Sequence, residues 1–408
     1  MEDLTSETID FLSYPDETLL DMSITAREAR EQKVLTLSVI EEAIRSAWSR
    51  LVGGVEIDLT RGQFTDGETI GRPTVAPRPP VAPPAAQRST TCSAAGSSKL
   101  CEDAGMQTIR TPEDRFRDLP DFGYEPHHAE VSDGEGGRLR MAWVEAGPAA
   151  GPVVLCLHGE PSWSFLYRKL MPVLAAAGLR AVCPDLVGFG RSDKPTRLED
   201  HSYAGHVAWV RELAFDVLEL RQVTMVGQDW GGLIGLRLAA EHPERFARLV
   251  PANTGLPTGD HPMPEVWQEF RAAIQSAPRL DIGRFVQAGC RSRLAPGVLA
   301  GYDAPFPDDS YTAGARAMPG LVPTRPDDPA SDANRAAWAR LGQLSFPALV
   351  AFSDSDPITG PMAPILRRHL PGARHRDHPV IANAGHFLQE DAGEVLGGHI
   401  VDFVRTTA

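Results

Sequence analysis

Between residues 223 and 243 the chain reads VTMVGQDWGGLIGLRLAAEHP, and few folds can accommodate such a stretch. VTMVG is a short apolar run of strand type, while GLIGLRLAAEHP carries apolar residues at helical spacing and ends at a proline. Only Gln228, Asp229, Trp230 and Gly231 separate the two. Gly227, Gly231 and Gly232 surround this turn, as expected where backbone passes too close for side chains. A strand that turns so sharply into a helix leaves its middle residue, Asp229, exposed at the carboxyl end of a sheet, where ligands gather in parallel folds. An ordinary turn with Asp229 as a helix cap is the other reading of the same letters.

The flanking sequence repeats the alternation. RLRMAWVEAG (138–147) has strand periodicity, and VVLCL (153–157), LRAVCPD (179–185) and ARLVPAN (247–253) read as buried strands. SWSFLYRKLMPVLAAAG (162–178) and a segment around 203–219 read as helices. Alternation of this kind predicts an α/β fold, a mainly parallel sheet with helices on both faces. It stops between about 256 and 342, where proline-broken pieces such as PEVWQEFRAAIQSAP (264–278) predict a helical insertion lying over the strand ends as a lid. PALVAFSD (347–354) resumes the sheet.

Residues 1–105 differ. A proline-rich and then serine-rich tract (71–98) has too little apolar surface to offset the entropy of ordering, so 1–105 is expected to be a disordered extension with a linker, or sequence upstream of a start at Met106. The folded domain is then 106–408. A net charge of −14 argues against nucleic acid or an anionic membrane as partner. The acidic first residues do not resemble a secretion leader, and no apolar run approaches the roughly 20 residues of a membrane span. Five scattered cysteines (92, 101, 156, 183 and 290), two of them in apolar runs, suggest reduced thiols and a cytoplasmic protein. His375 and His378 in RHRDHP are read as exposed turn residues rather than metal ligands, and neither a metal nor a cofactor is expected.

Two further segments give Asp229 a chemical setting. Asp356, in FSDSDPITG, follows a predicted strand, and His386, in ANAGHFLQED, lies thirty residues later. Nucleophile, acid and histidine thus occur in an order suited to a loop-borne triad, with Asp354 as a competing acid and Pro357 favouring Asp356. In LHGEPSW (157–163) a strand delivers a His-Gly turn, which predicts an oxyanion hole from the backbone N–H groups of Glu160 and Trp230. The role of the Glu160 side chain is left open.

An aspartate here favours one kind of electrophile. Attack by serine on an alkyl carbon would leave an ether that water cannot clear, whereas aspartate leaves an ester that an activated water can hydrolyse. Attack on an acyl group would give a mixed anhydride with little advantage over serine. Carbon–halogen bonds and epoxides remain. A departing halide needs only N–H donors, for which Trp230 and a lid tryptophan, Trp267 or Trp338, are candidates. An epoxide oxygen needs a proton, for which Tyr302 and Tyr311 of the insertion are candidates. A hydrolase-fold binding protein without turnover is a third possibility.

The phrases RTPEDRF, LHGEPSWSFLYRKLMP, PDLVGFGRSDKPT, VGQDWGGLIGLRLAAEHPERFARLV, GYDAPFPDDSYTAGARAMPGLVPTRPDDPA and AGHFLQED resemble the haloalkane dehalogenases of the α/β-hydrolase superfamily over nearly all of the chain from Met106. The resemblance implies the α/β-hydrolase fold with a helical cap. It implies Asp229 as nucleophile, His386 as base, Asp356 as its partner, and Trp230 and Trp267 as halide donors, with Glu160 where another branch has asparagine. The implied partners are a small apolar halogenated substrate, water and halide ion, handled by a monomer. The long amino-terminal extension departs from the family pattern and puts the start site in question.

Overall fold

Strands of five to nine residues pair into the sheet that carries the site. The computed structural model describes residues 105–407, so the expectations for 1–105 fall, but for the last residue, outside the described residues. Six strands, β1 (His127–Ser132), β2 (Arg138–Ala146), β3 (Val153–Leu157), β4 (Arg180–Pro184), β5 (Val223–Gln228) and β6 (Phe246–Ala252), lie in the order β1-β2-β4-β3-β5-β6. β2 pairs antiparallel with β1 and β4, and every other pairing is parallel. Beyond β6 the bonding continues, with Leu349 N donating to Leu249 O at 2.9 Å and Ala351 N to Pro251 O at 3.0 Å. Strand β7 (Phe352–Ser353) then pairs in parallel with β8 (Val380–Ile381). Residues 347–354 therefore do rejoin the sheet. β5 is buried along its whole length, which is why it reads as an unbroken apolar run rather than an alternating one.

Helices α1 (Met171–Ala176), α2 (Tyr203–Arg211) and α3 (Trp230–Glu241) connect these strands. The single helix expected over 162–178 is divided: a 3₁₀ turn at Ser164–Tyr167 precedes α1, whose second residue is Pro172. Proline has no N–H to continue an incoming helix but suits the first turn of a new one. The helix expected over 203–219 is α-helical only to Arg211 and continues as a wider π turn, Glu212–Val217. β1 is an edge strand that the sequence reading missed, because HHAEVS exposes most of its side chains and carries too few apolar residues to stand out.

Between β6 and β7 lies the helical cap, comprising α4 (Glu265–Ser276), α5 (Ile282–Ala288), α6 (Pro296–Asp303), α7 (Ala313–Leu321) and α8 (Ser331–Leu341). It is stitched to the loops at the carboxyl ends of the strands. The Trp163 indole, after β3, donates to Gly301 O at 3.0 Å, and Thr111 Oγ1 donates to Pro305 O at 2.6 Å. Helices α9 (Met362–His369), between β7 and β8, and α10 (Leu388–Thr406), after β8, complete the described fold. Among the described residues no helix is long and apolar enough to cross a membrane.

A further tether from the cap ends on a buried ion pair. Arg168 grips both oxygens of Glu390, in the first turn of α10, at 2.6 Å each, and Tyr302 of α6 donates to Glu390 Oε2 at 2.7 Å. Arg168 and Glu390 side chains are each only 1% exposed, so neither charge can fall back on water. Breaking such a pair from one side leaves a desolvated charge, only partly answered here by Lys169 at 3.0 Å. Arg168→Met is expected to cost about 3 kcal/mol of folding stability, measured by urea denaturation, with Tyr302→Phe losing about 1 kcal/mol.

Candidate active site

The elbow is built by contact. Asp229 has φ 49° and ψ −124°, a conformation that costs a non-glycine residue roughly 1–3 kcal/mol unless its neighbours hold it. They do so through its backbone: Asp229 N donates to Asn253 O at 3.0 Å, and Thr254 Oγ1 donates to Asp229 O at 2.7 Å. Gly231 is required because a Cβ there would stand 2.0 Å from Leu157 O, closing the gap between α3 and the end of β3. The carboxylate makes no cap hydrogen bond to α3, so the helix-cap reading of Asp229 is set aside. Its Oδ1 instead accepts the Glu160 N–H at 2.9 Å.

That donor comes from the turn after β3, whose Glu160–Pro161 peptide is cis. His158, fully buried, accepts from Leu186 N at 2.9 Å, and Ser162 Oγ donates to Gly159 O at 2.8 Å. Trp230 opens α3, where backbone N–H groups have no partner one turn earlier, and its ring is buried 4.9 Å from that of Tyr203.

The other two predicted residues converge from the far side of the sheet. Asp356, beyond β7, accepts at Oδ1 from Ile358 N at 3.0 Å and Thr359 N at 3.2 Å, and Oδ2 also takes the Thr359 hydroxyl. His386 Nδ1 lies 3.0 Å from Asp356 Oδ2, and Nε2 lies 3.6 Å from Asp229 Oδ2. Asp354 is spent elsewhere: it accepts from Asn383 N at 2.8 Å and Ala384 N at 3.2 Å, shaping the loop that presents His386. Asn253 anchors the same loop, its Nδ2 donating to Gly385 O at 2.9 Å, His386 O at 3.0 Å and Ser353 Oγ at 2.8 Å. Sequence reasoning missed Asn253, Thr254 and Thr359. Its only available signal was their position at strand ends.

A family model for the α/β hydrolase fold matches residues 152–393. Over 300 residues the chain is 48% identical to a haloalkane dehalogenase of Psychrobacter cryohalolentis, covering 74% of this chain and 99% of that one. Over 302 residues it is 50% identical to haloalkane dehalogenase 1 of Mycobacterium tuberculosis, covering 74% and 100%. The chain belongs to the haloalkane dehalogenases. Among solved structures, the tetrameric haloalkane dehalogenase of Paraglaciecola agarilytica NO2 superposes with a TM-score of 0.68 at 34% identity, covering 72% of this chain and 97% of that one.

Several secondary candidates in this dehalogenase are reassigned by their contacts. The Trp338 indole donates to Leu256 O at 2.6 Å, which commits its one hydrogen to the protein. Tyr302 is fully buried and committed to Glu390, while Tyr311 sits half-buried at the 3₁₀ turn Asp309–Tyr311. Trp267 is buried on α4, with the Arg271 guanidinium 5.7 Å from its ring. Among the described residues, the indoles of Trp230 and Trp267 donate to no protein acceptor. His375 is exposed as expected, but His378 is half-buried, accepting from Val350 N at 3.1 Å and contacting Ala373 O at 2.9 Å. A turn histidine drawn inward in this way fills backbone hydrogen bonds that the irregular segment leaves open.

The electrostatics separate two carboxyl groups. Burial, and then the nearby Asp229 charge, push the Glu160 carboxyl well above the usual carboxylate range, so it keeps its proton. Burial also works against the charged form of Asp356, but the His386 charge and its hydrogen bonds outweigh burial and hold it low. Burial would depress the His386 imidazole, yet Asp356 and Asp229 together lift it to about 10. A free histidine titrates near 6.5. The stability gained from its imidazolium is therefore complete below about 6.5 and is lost as pH rises through about 10. Asp229→Asn removes one of the two anions, so the His386 ring is expected to titrate at lower pH than in the parent protein when followed by NMR; an unmoved titration would show that Asp229 does not act on it.

Proposed function

We propose that this dehalogenase hydrolyses haloalkanes to alcohol and halide through a covalent ester on Asp229. One observation carries the reading: a strained aspartate with one oxygen held by the Glu160 N–H at 2.9 Å and the other facing, at 3.6 Å, a histidine paired to a second aspartate. Oδ2 attacks the halogen-bearing carbon in line, the carbon–halogen bond breaks, and halide departs with the electron pair toward the indole N–H groups of Trp230 and Trp267. Alkylation cancels the Asp229 charge. One of the two influences lifting His386 thereby disappears, the imidazolium releases its proton, and the neutral ring becomes a base when it is needed. It takes a proton from water as the water oxygen attacks the ester carbonyl, while the N–H groups of Glu160 and Trp230 hold the oxyanion. Asp356 balances the renewed imidazolium. On collapse the carbonyl carbon–alkoxide bond breaks, the alkoxide takes the proton of the newly added hydroxyl, and alcohol leaves with Asp229 restored as carboxylate.

The epoxide reading loses support from the commitment of Tyr302 to Glu390, which occupies the hydroxyl that would protonate a leaving alkoxide. A silent binding protein has no use for the Asp356–His386–Asp229 alignment. The proposal further takes residues 106–408 as the catalytic domain, with 256–342 as its lid, consistent with relatives that are matched over 99–100% of their length by about three quarters of this chain. It takes the protein as a cytoplasmic monomer, on the strength of free, buried Cys156 and Cys183 for the compartment. The tetramer named for the Paraglaciecola relative makes sedimentation of the full chain the direct check on the monomer.

Incubation with 1,2-dibromoethane is expected to release bromide, and Asp229→Asn to lower that rate by more than about a thousandfold. His386→Gln is expected to release about one bromide per active site and to gain the mass of the alkyl group. In heavy-oxygen water the first turnover should place the label in Asp229 and leave the alcohol unlabelled. A labelled alcohol in that first turnover would refute the ester route.

A further inference from the structure

Gln228, the last residue of β5, points its side chain at the base. It is fully buried, and its Nε2 lies 3.0 Å from His386 Nε2 and 3.2 Å from His386 O. The second contact settles which way the amide faces, because a carbonyl oxygen can only be met by the NH₂ end. The NH₂ end thus faces His386, one hydrogen directed to its backbone oxygen and the other, whenever the ring is neutral, to the lone pair of Nε2. Oε1 at the other end has no protein partner among the described residues. It lies against the turn after β3, where a Cβ on Gly159 would come within 2.8 Å of it and 2.4 Å of Asp229 Cβ. A buried acceptor left unpaired is costly, so this orientation is held by what the NH₂ end gains at His386.

A donor at Nε2 has a definite chemical consequence. Nε2 can accept a hydrogen bond only in neutral imidazole, and with Nδ1 donating to Asp356 the ring is then the tautomer a general base requires. We propose that Gln228 is a positioning residue for the hydrolytic half-reaction, holding His386 as neutral imidazole with Nε2 turned toward the Asp229 ester until water replaces the amide hydrogen there. The bond to His386 O keeps the side chain in place while this exchange occurs.

The charged neighbours make such a partner useful. His386 faces Asp229 from the elbow, Asp356 from the loop after β7 and the protonated Glu160 from the turn after β3. In the first turn of α10, Asp391 is taken up by the backbone N–H groups of Gly385, Arg291 and Ser292, and between α5 and α6 the half-buried Cys290 thiol is held protonated by burial. Glu390 is paired to Arg168 and Lys169. Both anions favour imidazolium, and of the groups directed at the ring Gln228 is the one that favours the neutral form. After Asp229 is alkylated, Asp356 remains as the opposing charge, and the amide decides how far the base recovers.

The inference rests on the ester route proposed above, and the test separates the two. Full-length Gln228→Met, similar in length and unable to donate, is mixed with excess 1,2-dibromoethane, and bromide release and alkyl-enzyme mass are followed between pH 6 and 10. The expected result is a burst of bromide, accumulation of the ester, and hydrolysis slowed at least about tenfold at pH 7. The rising limb of hydrolysis against pH should move upward by about one unit, the worth of one hydrogen bond to the neutral ring, with the rate approaching the parent's at the alkaline end. Gln228→Glu keeps the side-chain shape but adds a second anion beside Asp356 in the alkyl-enzyme, so it should move the limb further in the same direction and serves if the methionine variant does not fold. Hydrolysis reduced equally at every pH, or a limb that stays in place, overturns the role for Gln228. Absence of any ester in the parent enzyme and in His386→Gln overturns the ester route and this inference with it.

Discussion

The site depends on one residue being held in a backbone conformation it would not adopt alone. At Asp229 the chain takes a positive φ so that β5 can end and α3 begin without an intervening loop, and two bonds from the end of β6 keep it there. The same turn sets the carboxylate against the Glu160 N–H and aligns the start of α3, with its unpaired backbone donors, beside it. Relaxing that turn would lose the direction of the Asp229 carboxylate and the placing of the first residues of α3 together. Rigidity is therefore concentrated where three strands end, and Asn253 joins it to the His386 loop by bonding to Gly385 O and His386 O.

Around that turn the charges are arranged by unequal hydration rather than by distance alone. Two carboxyl groups near one imidazole are pushed in opposite directions: Asp356 is held low because His386, two backbone N–H groups and a hydroxyl serve it, whereas burial and the Asp229 charge push Glu160 up toward its neutral form. This solves a problem that the motif creates. In the ester route proposed above, the carboxylate that displaces halide also raises the histidine that must later act as a base. Formation of the ester resolves the conflict, since it removes the first charge at the moment the second function is required. Each half-reaction prepares the group used in the next.

The cap joins this arrangement through Tyr302, which donates to the buried Arg168–Glu390 pair, rather than through apolar packing alone. Because Glu390 follows His386 by four residues, the position of the lid and that of the base are secured by the same carboxylate. A phenol that the sequence offers as a catalytic acid turns out to be structural for this reason. The contrast with Trp267 is instructive: both residues are buried on cap helices, but the tyrosine hydroxyl has a partner within the protein and the indole donates to none among the described residues.

What the sequence determined by itself was whatever is encoded locally or in order along the chain. Strand, tight glycine turn and helix at 223–243, the return of the sheet at 347–354, and Asp229, Asp356 and His386 in their order are legible because short-range sterics and apolar periodicity leave few alternatives. Edge strand β1, the break at Pro172, and the work done by Gln228, Asn253, Thr254 and Thr359 were not legible in this way. A polar side chain at a strand end looks the same in sequence whether it faces water or a catalytic histidine. Only the packing of strands distant in the chain decides which groups lose their water, and with it which carboxyl keeps its proton, which tyrosine is occupied and which amide meets the base.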